Sequence, residues 1–246
     1  MQIKGILFDK DGTLIDFNAV WLTAAKEVVR FFIQINGLEY STRIEEKIYQ
    51  AMGVEQERVI PDGPLAYQTY DQIGAGICRE LQTLQIALDA ELAGRQLSVL
   101  FESVCARKDF SYHPIVDLKQ LFARLLEKGL KLGLATADTK TSVERCFASL
   151  GVLDDFSYLG YDDGVLQPKP AGDMFFAFAK ACSLKPSEIL VVGDTKNDMI
   201  FAHRYGGTGV GVLSGVSKKQ DIGKEADFVV DTVADLPKLL CTQLAG

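Results

Sequence analysis

Histidine is nearly missing from this chain: His113 and His203 are the only two. No histidine metal cluster and no His-dependent triad can be assembled from them, so structural roles are expected for both. The five cysteines (Cys78, Cys105, Cys146, Cys182, Cys241) are scattered, odd in number and without CxxC spacing. That pattern reads as free thiols, mostly buried, in a reducing compartment. Positive charge is also short. Lys and Arg number 26 against 33 Asp and Glu, a formal net charge of −7, which argues against a nucleic-acid binder held by general basic attraction. A small anionic ligand stays open, because a metal and one or two lysines can reverse the field locally. No apolar run reaches membrane-spanning length, and the first residues lack the charged, apolar and small-residue succession of a secretory leader. The expected location is cytoplasmic, with no membrane partner. No GxxxxGK[ST] loop occurs. The glycines of 207–215 enclose an apolar segment instead of following one, so they read as a tight strand edge and not as a dinucleotide loop.

What is present is ordinary in bulk and specific in detail. Hydrophobic residues make up 48% and charged residues 24% of 246 residues, room for one large domain or two modest ones. Residues 2–9 form a short, continuous apolar run of the kind buried in a parallel sheet. From about 17 to 110 the pattern is helical and no strand is evident. Residues 19–35 carry Val20, Ala24, Val28, Phe31, Phe32 and Ile35 at helical spacing, and 78–104 behave likewise. Phe17, Asn18 and Trp21 read chiefly as packing for the first of these helices, with lining of a substrate entrance as the alternative. After about 112 the rhythm alternates. Helices are expected over 114–128, 140–150, 170–182, 197–205 and 233–244, and strands over 130–135, 156–159, 189–193, 209–213 and 228–230. Such alternation implies an α/β fold: a doubly wound, open parallel sheet with crossover helices. The first strand joins that sheet, so 1–15 and 112–246 form one core and 16–111 an inserted all-helical domain.

In an open α/β sheet the binding crevice lies outside the carboxyl ends of the strands. The first strand ends in Asp9, with Lys10, Asp11, Gly12 and Thr13 turning away from it. A buried strand seldom ends in two acids, because an unpaired carboxylate leaving water is costly. The strand over 130–135 leads to Thr136, Ala137 and Asp138, and that over 189–193 to Asp194, with Asn197 and Asp198 behind. Lys169 stands between Pro168 and Pro170. These parts suit phosphoryl chemistry, where charge on the equatorial oxygens needs donors and cations. Mg²⁺ takes hard oxygen ligands, which Asp9, Asp194 and the Asp11 backbone carbonyl could supply. Thr136 could donate to a phosphate oxygen, and Lys169 could neutralise both the phosphate and Asp9. Each residue also has a plainer reading. Asp9 and Asp11 could be turn or capping acids, Asp194 a helix cap, Thr136 a partner for a backbone group and Lys169 a solvated cation.

The run 9–14, Asp-Lys-Asp-Gly-Thr-Leu, resembles the first motif of the haloacid dehalogenase-like (HAD) superfamily in its phosphatase form. Thr136 resembles the second motif, Lys169 the third, and the GDxxxD run from Gly193 to Asp198 the fourth, in the expected order. Gly172 stands where many relatives carry a second proline. The resemblance implies a Rossmann-like core with a helical cap like that of phosphoglycolate phosphatase-like members, closing over the site and selecting substrate. It implies Asp9 as the nucleophile that forms an aspartyl-phosphate, and Asp11 as the acid and base that serves leaving group and water. Thr136 and Lys169 complete the catalytic set, and main-chain N–H groups of Lys10, Asp11 and Ala137 receive phosphate. Mg²⁺ is the implied cofactor, held by Asp9, Asp11 and Asp194, with Thr13 and Asp198 as outer partners. The Lys10 side chain is expected to be incidental. The activity implied is hydrolysis of a small phosphorylated metabolite, phosphoglycolate-like. A phosphomutase of the same superfamily is the nearest alternative, and a non-catalytic phospho-aspartate signalling or binding module the alternative from another class.

Overall fold

An unbroken apolar segment is stable in a sheet only where both faces are covered, and the first strand obeys that rule. Gly5–Phe8 (β1) is wholly buried and pairs with a parallel strand on either side. The structure, a computed structural model, describes residues 2–56, 58–60, 63–107, 110–162, 164–215 and 217–242. It divides into two compact units: the chain up to Phe17 with the chain from Tyr112 onward, and Asn18–Ser111.

The inserted unit opens with α1 (Phe17–Ile35), which buries Val20, Ala24, Val28 and Phe32 on one stripe. Next comes α2 (Thr42–Met52), inside the stretch read as helical though its bounds were not given. It is started by the Ser41 hydroxyl accepting the Ile44 N–H and ended by Gly53 in the left-handed region. The insert is not purely helical: Val54–Glu55 (β2) and Arg58–Val59 (β3) pair antiparallel, and Asn18 accepts the Val59 N–H at 3.1 Å. A short α3 (Pro64–Tyr67) follows. The periodic stretch 78–104 is not one helix but parts of two, α4 (Tyr70–Gln82) and α5 (Ala90–Cys105). The period runs on because both helices bury one stripe, but Gln85 takes φ 62° and Asp89 caps a new N-terminus. Trp21 and Tyr70 both pack on Phe101. Where α4 meets α5 there is no room for a side chain at position 94: a Cβ on Gly94 would lie 2.7 Å from the Asp71 Cα. Gly94→Val is therefore expected to cost about 1–3 kcal/mol, read as a lower urea midpoint with unchanged slope.

In the core, α6 (Leu118–Glu127) starts later than expected because Asp117 caps it, while Pro114 bridges to Ile15. The strand expected to end at 135 runs on as β4 (Lys131–Thr139), with a register shift beyond Ala135. Then follow α7 (Lys140–Ser149), β5 (Tyr158–Asp162), α8 (Asp173–Ala181), β6 (Ile189–Gly193), α9 (Lys196–Arg204), β7 (Thr208–Val212), α10 (Lys219–Ile222) and β8 (Phe228–Val230). The last expected helix begins as a 3₁₀ turn and continues as α11 (Leu236–Thr242); residues 243–244 of that expectation lie outside the described residues. The sheet order is β5-β4-β1-β6-β7-β8, all pairs parallel. The glycine-rich strand β7 is therefore interior, not an edge. Leu7 and Val191 pack on one side with Phe175, Phe178 and Phe201 of α8 and α9. On the other, Phe8 stacks on Phe122 of α6, and Phe156 meets Phe122 and Phe147 edge-on. The sheet is thus doubly wound, with β1 central and its two neighbours reached by connections of opposite direction. Among the described residues no helix is long and apolar enough to cross a membrane.

Candidate active site

The strand order reverses on either side of β1, which places the crevice at the carboxyl ends of β1, β4 and β6. Asp9 follows β1 immediately, and its N–H donates to the Val192 carbonyl at 2.8 Å. The turn beyond it is closed by the Lys10 carbonyl, which accepts from the N–H groups of both Leu14 and Ile15. Gly12 sits at φ +84° within that turn, a conformation open to glycine. It also leaves space for a carboxylate, since a Cβ on Gly12 would lie 2.5 Å from Asp194 Oδ2.

Two ion-pair groups occupy this edge. In the first, Lys169 Nζ donates at 2.6 Å to Asp9 Oδ1 and at 2.6 Å to Asp198 Oδ1. The other Asp198 oxygen is held by the Thr195 hydroxyl and N–H, a capping box at the start of α9. Asp194, buried at the end of β6, comes within 4.8 Å of Asp9 and Asp198 through its carboxylate, and Thr13 Oγ1 donates to it at 3.5 Å. In the second group, Lys10 Nζ lies 3.0 Å from Asp11 Oδ2, 3.1 Å from Asp11 Oδ1 and 2.8 Å from Asp138 Oδ2. Thr136, also buried, accepts the Asp138 N–H at 3.2 Å, so a hydroxyl lone pair is used and its proton is left to donate.

Asp9, Lys169, Asp194 and Asp198 are thus brought together, Thr13 stands behind Asp194, and Asp11 belongs to a neighbouring cluster of its own. Ala137 lies in the last turn of β4 between Thr136 and Asp138. One expectation is overturned. The Lys10 side chain is not incidental: it is 2% exposed and bridges the ends of β1 and β4. Asp138, its partner, was named at the end of β4 but given no role. Simple alternation along a strand sends a residue between two acids to the opposite side, whereas Lys10 Nζ reaches both oxygens of Asp11.

The charges respond to burial. Removal from water, with the repulsion of Asp198 and Asp11 added, pushes the Asp9 carboxyl up to about 7 against the pull of Lys169. Asp11 is raised chiefly by burial, opposed by Lys10. Burial alone would lower Lys169, yet Asp198 and Asp9 hold its ammonium above the usual range. Five carboxylates facing two lysines, with Asp9 and Asp11 both pushed towards protonation, make a site that suits a hard divalent cation.

A model of the haloacid dehalogenase-like hydrolase family matches residues 3–206. The chain belongs to that family. It is 27% identical over 240 residues to phosphoglycolate phosphatase from Shigella boydii serotype 4 (strain Sb227), covering 96% of this chain and 91% of that one. Among solved structures, a predicted phosphoglycolate phosphatase from Haemophilus somnus 129PT superposes with a TM-score of 0.69 at 20% identity, covering 97% of this chain and 98% of the other. β-Phosphoglucomutase from Clostridium difficile does so with a TM-score of 0.57 at 16% identity, covering 96% and 93%. These two likenesses speak for the shared HAD fold: a Rossmann-like core with a helical insert. Family membership makes the chain an enzyme of the hydrolase class, and it places the acid-rich strand ends of β1 and β6 within the matched segment.

Proposed function

We propose that this HAD-family hydrolase is a Mg²⁺-dependent phosphatase acting on a small phosphorylated metabolite, a phosphoglycolate-like phosphomonoester, in the cytoplasm. The observation that carries the reading is the Lys169 ammonium bridging Asp9 and Asp198 beside Asp194, all at the carboxyl ends of β1 and β6. Asp9 attacks phosphorus: its Oδ–P bond forms, the ester P–O bond breaks, and the proton of Asp11 passes to the leaving oxygen. Water then attacks the phosphorus of the aspartyl-phosphate and gives a proton to Asp11, while the Oδ–P bond breaks and inorganic phosphate leaves, restoring both acids. Lys169 orients Asp9 and takes part of the phosphate charge. Thr136 donates its free hydroxyl proton to a phosphate oxygen, and the N–H groups of Lys10, Asp11 and Ala137 line the same approach. Asp9, Asp194 and the Asp11 carbonyl would hold Mg²⁺, which when bound supplies charge neutralisation for the phosphate oxygens. The unit Asn18–Ser111 is read, within the same proposal, as the cap that selects substrate.

Incubation of the protein and Mg²⁺ with a panel of phosphorylated metabolites, scored by free phosphate, is the direct test. Stoichiometric phosphate supports the phosphatase, whereas isomerised ester without phosphate would transfer the chain to the mutases. The metal set has its own readout. Mg²⁺ at about 100 times its Kd is expected to stabilise the protein by about 2.7 kcal/mol, and Asp194→Asn to abolish the rise in Tm. Because Asp9 is pushed up to about 7, a proton competes with the cation there, so the rise shrinks as pH falls through 7.

A further inference from the structure

We infer that Lys10 and Asp138 are positioning residues for the proton carrier Asp11, forming a rigid strut from the start of α7 to the catalytic turn. The inference rests on the phosphatase reading above and adds to it two side chains that no role had covered. The strut is built in three fixed steps. Asp138 is anchored at the head of α7, where its Oδ1 accepts the Thr139 N–H at 2.7 Å and its Oδ2 the Ser142 hydroxyl at 2.6 Å. Its Oδ2 also lies 2.8 Å from Lys10 Nζ. Lys10 in turn reaches both oxygens of Asp11, at 3.1 and 3.0 Å, so the plane of that carboxylate is set from two points. With Lys10 only 2% exposed, water cannot replace these contacts.

The chemistry explains why such a strut is useful. When the ester bond breaks, the proton moves from Asp11 to the leaving oxygen and a full negative charge appears on Asp11. The Lys10 ammonium, itself buried, already stands against that charge. Asp138 keeps the ammonium in place and balances it before the proton leaves. An alkyl phosphate needs this help, because an alkoxide is a poor leaving group; p-nitrophenolate departs readily as the anion.

The test compares kcat/KM, which reports steps up to leaving-group departure, for 2-phosphoglycolate and for p-nitrophenyl phosphate in the full-length protein with Mg²⁺. For Lys10→Met the ratio of alkyl to aryl kcat/KM is expected to fall about 10–100-fold, part of the 10²–10⁴ that general acid catalysis contributes. Asp138→Asn, which keeps the caps to Thr139 and Ser142 within reach, is expected to lower the same ratio by a smaller factor and to fold should Lys10→Met not. The double variant is expected to be no worse than Lys10→Met alone, since both act through one carboxylate. An unchanged ratio in a folded variant overturns the inference, because a merely structural role would slow both esters equally. Failure of the wild-type protein to hydrolyse either ester would instead remove the phosphatase reading itself.

Discussion

Asp9→Asn is expected to abolish phosphate release, by about 10⁴–10⁶-fold, while leaving the protein folded. The amide has the shape of the carboxylate but no charge to attack phosphorus, and no covalent intermediate can replace it. Stability moves separately. Asp9 is pushed up from 3.8 to about 7 by burial, so the folded protein holds its proton more tightly than the unfolded chain does. The sign follows from linkage: nothing is lost below 3.8, stability falls as pH rises from 3.8 to about 7 while only the unfolded chain ionises, and the full cost stands above 7. At pH 8 without added metal, Asp9→Asn is therefore expected to unfold no earlier than the parent, and later if the Lys169 contact to Asp198 survives. Urea titration beside a phosphate assay checks both halves. Undiminished turnover would remove Asp9 from its proposed role.

The site was more legible in the sequence than the insert was. Acids at strand ends stand out because the apolar strands before them, 5–8 and 189–192, are unbroken, and an ionised group there must have a purpose or a partner. Asp9, Asp194, Asp198 and Lys169 could thus be named before their 2.6 Å contacts were seen. Their mutual placement is a property of the parallel sheet: β1 and β6 are neighbours although 180 residues of chain separate their ends. Lys10 and Asp138 were harder, since Lys10 lies past the end of β1 and Asp138 in the stretch of β4 where the register shifts, so a period of two does not give their directions. In the insert, periodicity carried across the break between α4 and α5 because the two helices share a buried face. The residues that stop α4, Thr83 to Gln85, have no proline or glycine among them. Helix α2 fell within the helical stretch but was not delimited, because only Ile44, Ile48 and Met52 form its buried stripe.

Removal of Lys169 separates the energetic role of the ion pairs from the chemical one. Lys169→Met would keep the length of the side chain but leave Asp9 and Asp198, 14% and 2% exposed, without the ammonium that both touch at 2.6 Å. Breaking one partner of a buried pair costs about 3–5 kcal/mol, because the desolvated charges that remain repel one another. A loss of that size is a large fraction of the 5–15 kcal/mol that holds most domains folded, so the urea midpoint is expected to fall sharply. Low pH should return part of it, since protonating Asp9 removes the repulsion at its source. Lys169→Met combined with Asp198→Asn is expected to recover part of the stability by the same logic, leaving Asp9 to face only Asp194. Activity should not return with it. Asp9 would then lack the cation that orients its attack and shares the charge of the phosphate, and phosphate release is expected to stay at least about 10²-fold down. If the double variant were stable and fully active, Lys169 would be a structural counter-ion only; if the single variant lost no stability, the pairing would contribute little to the fold.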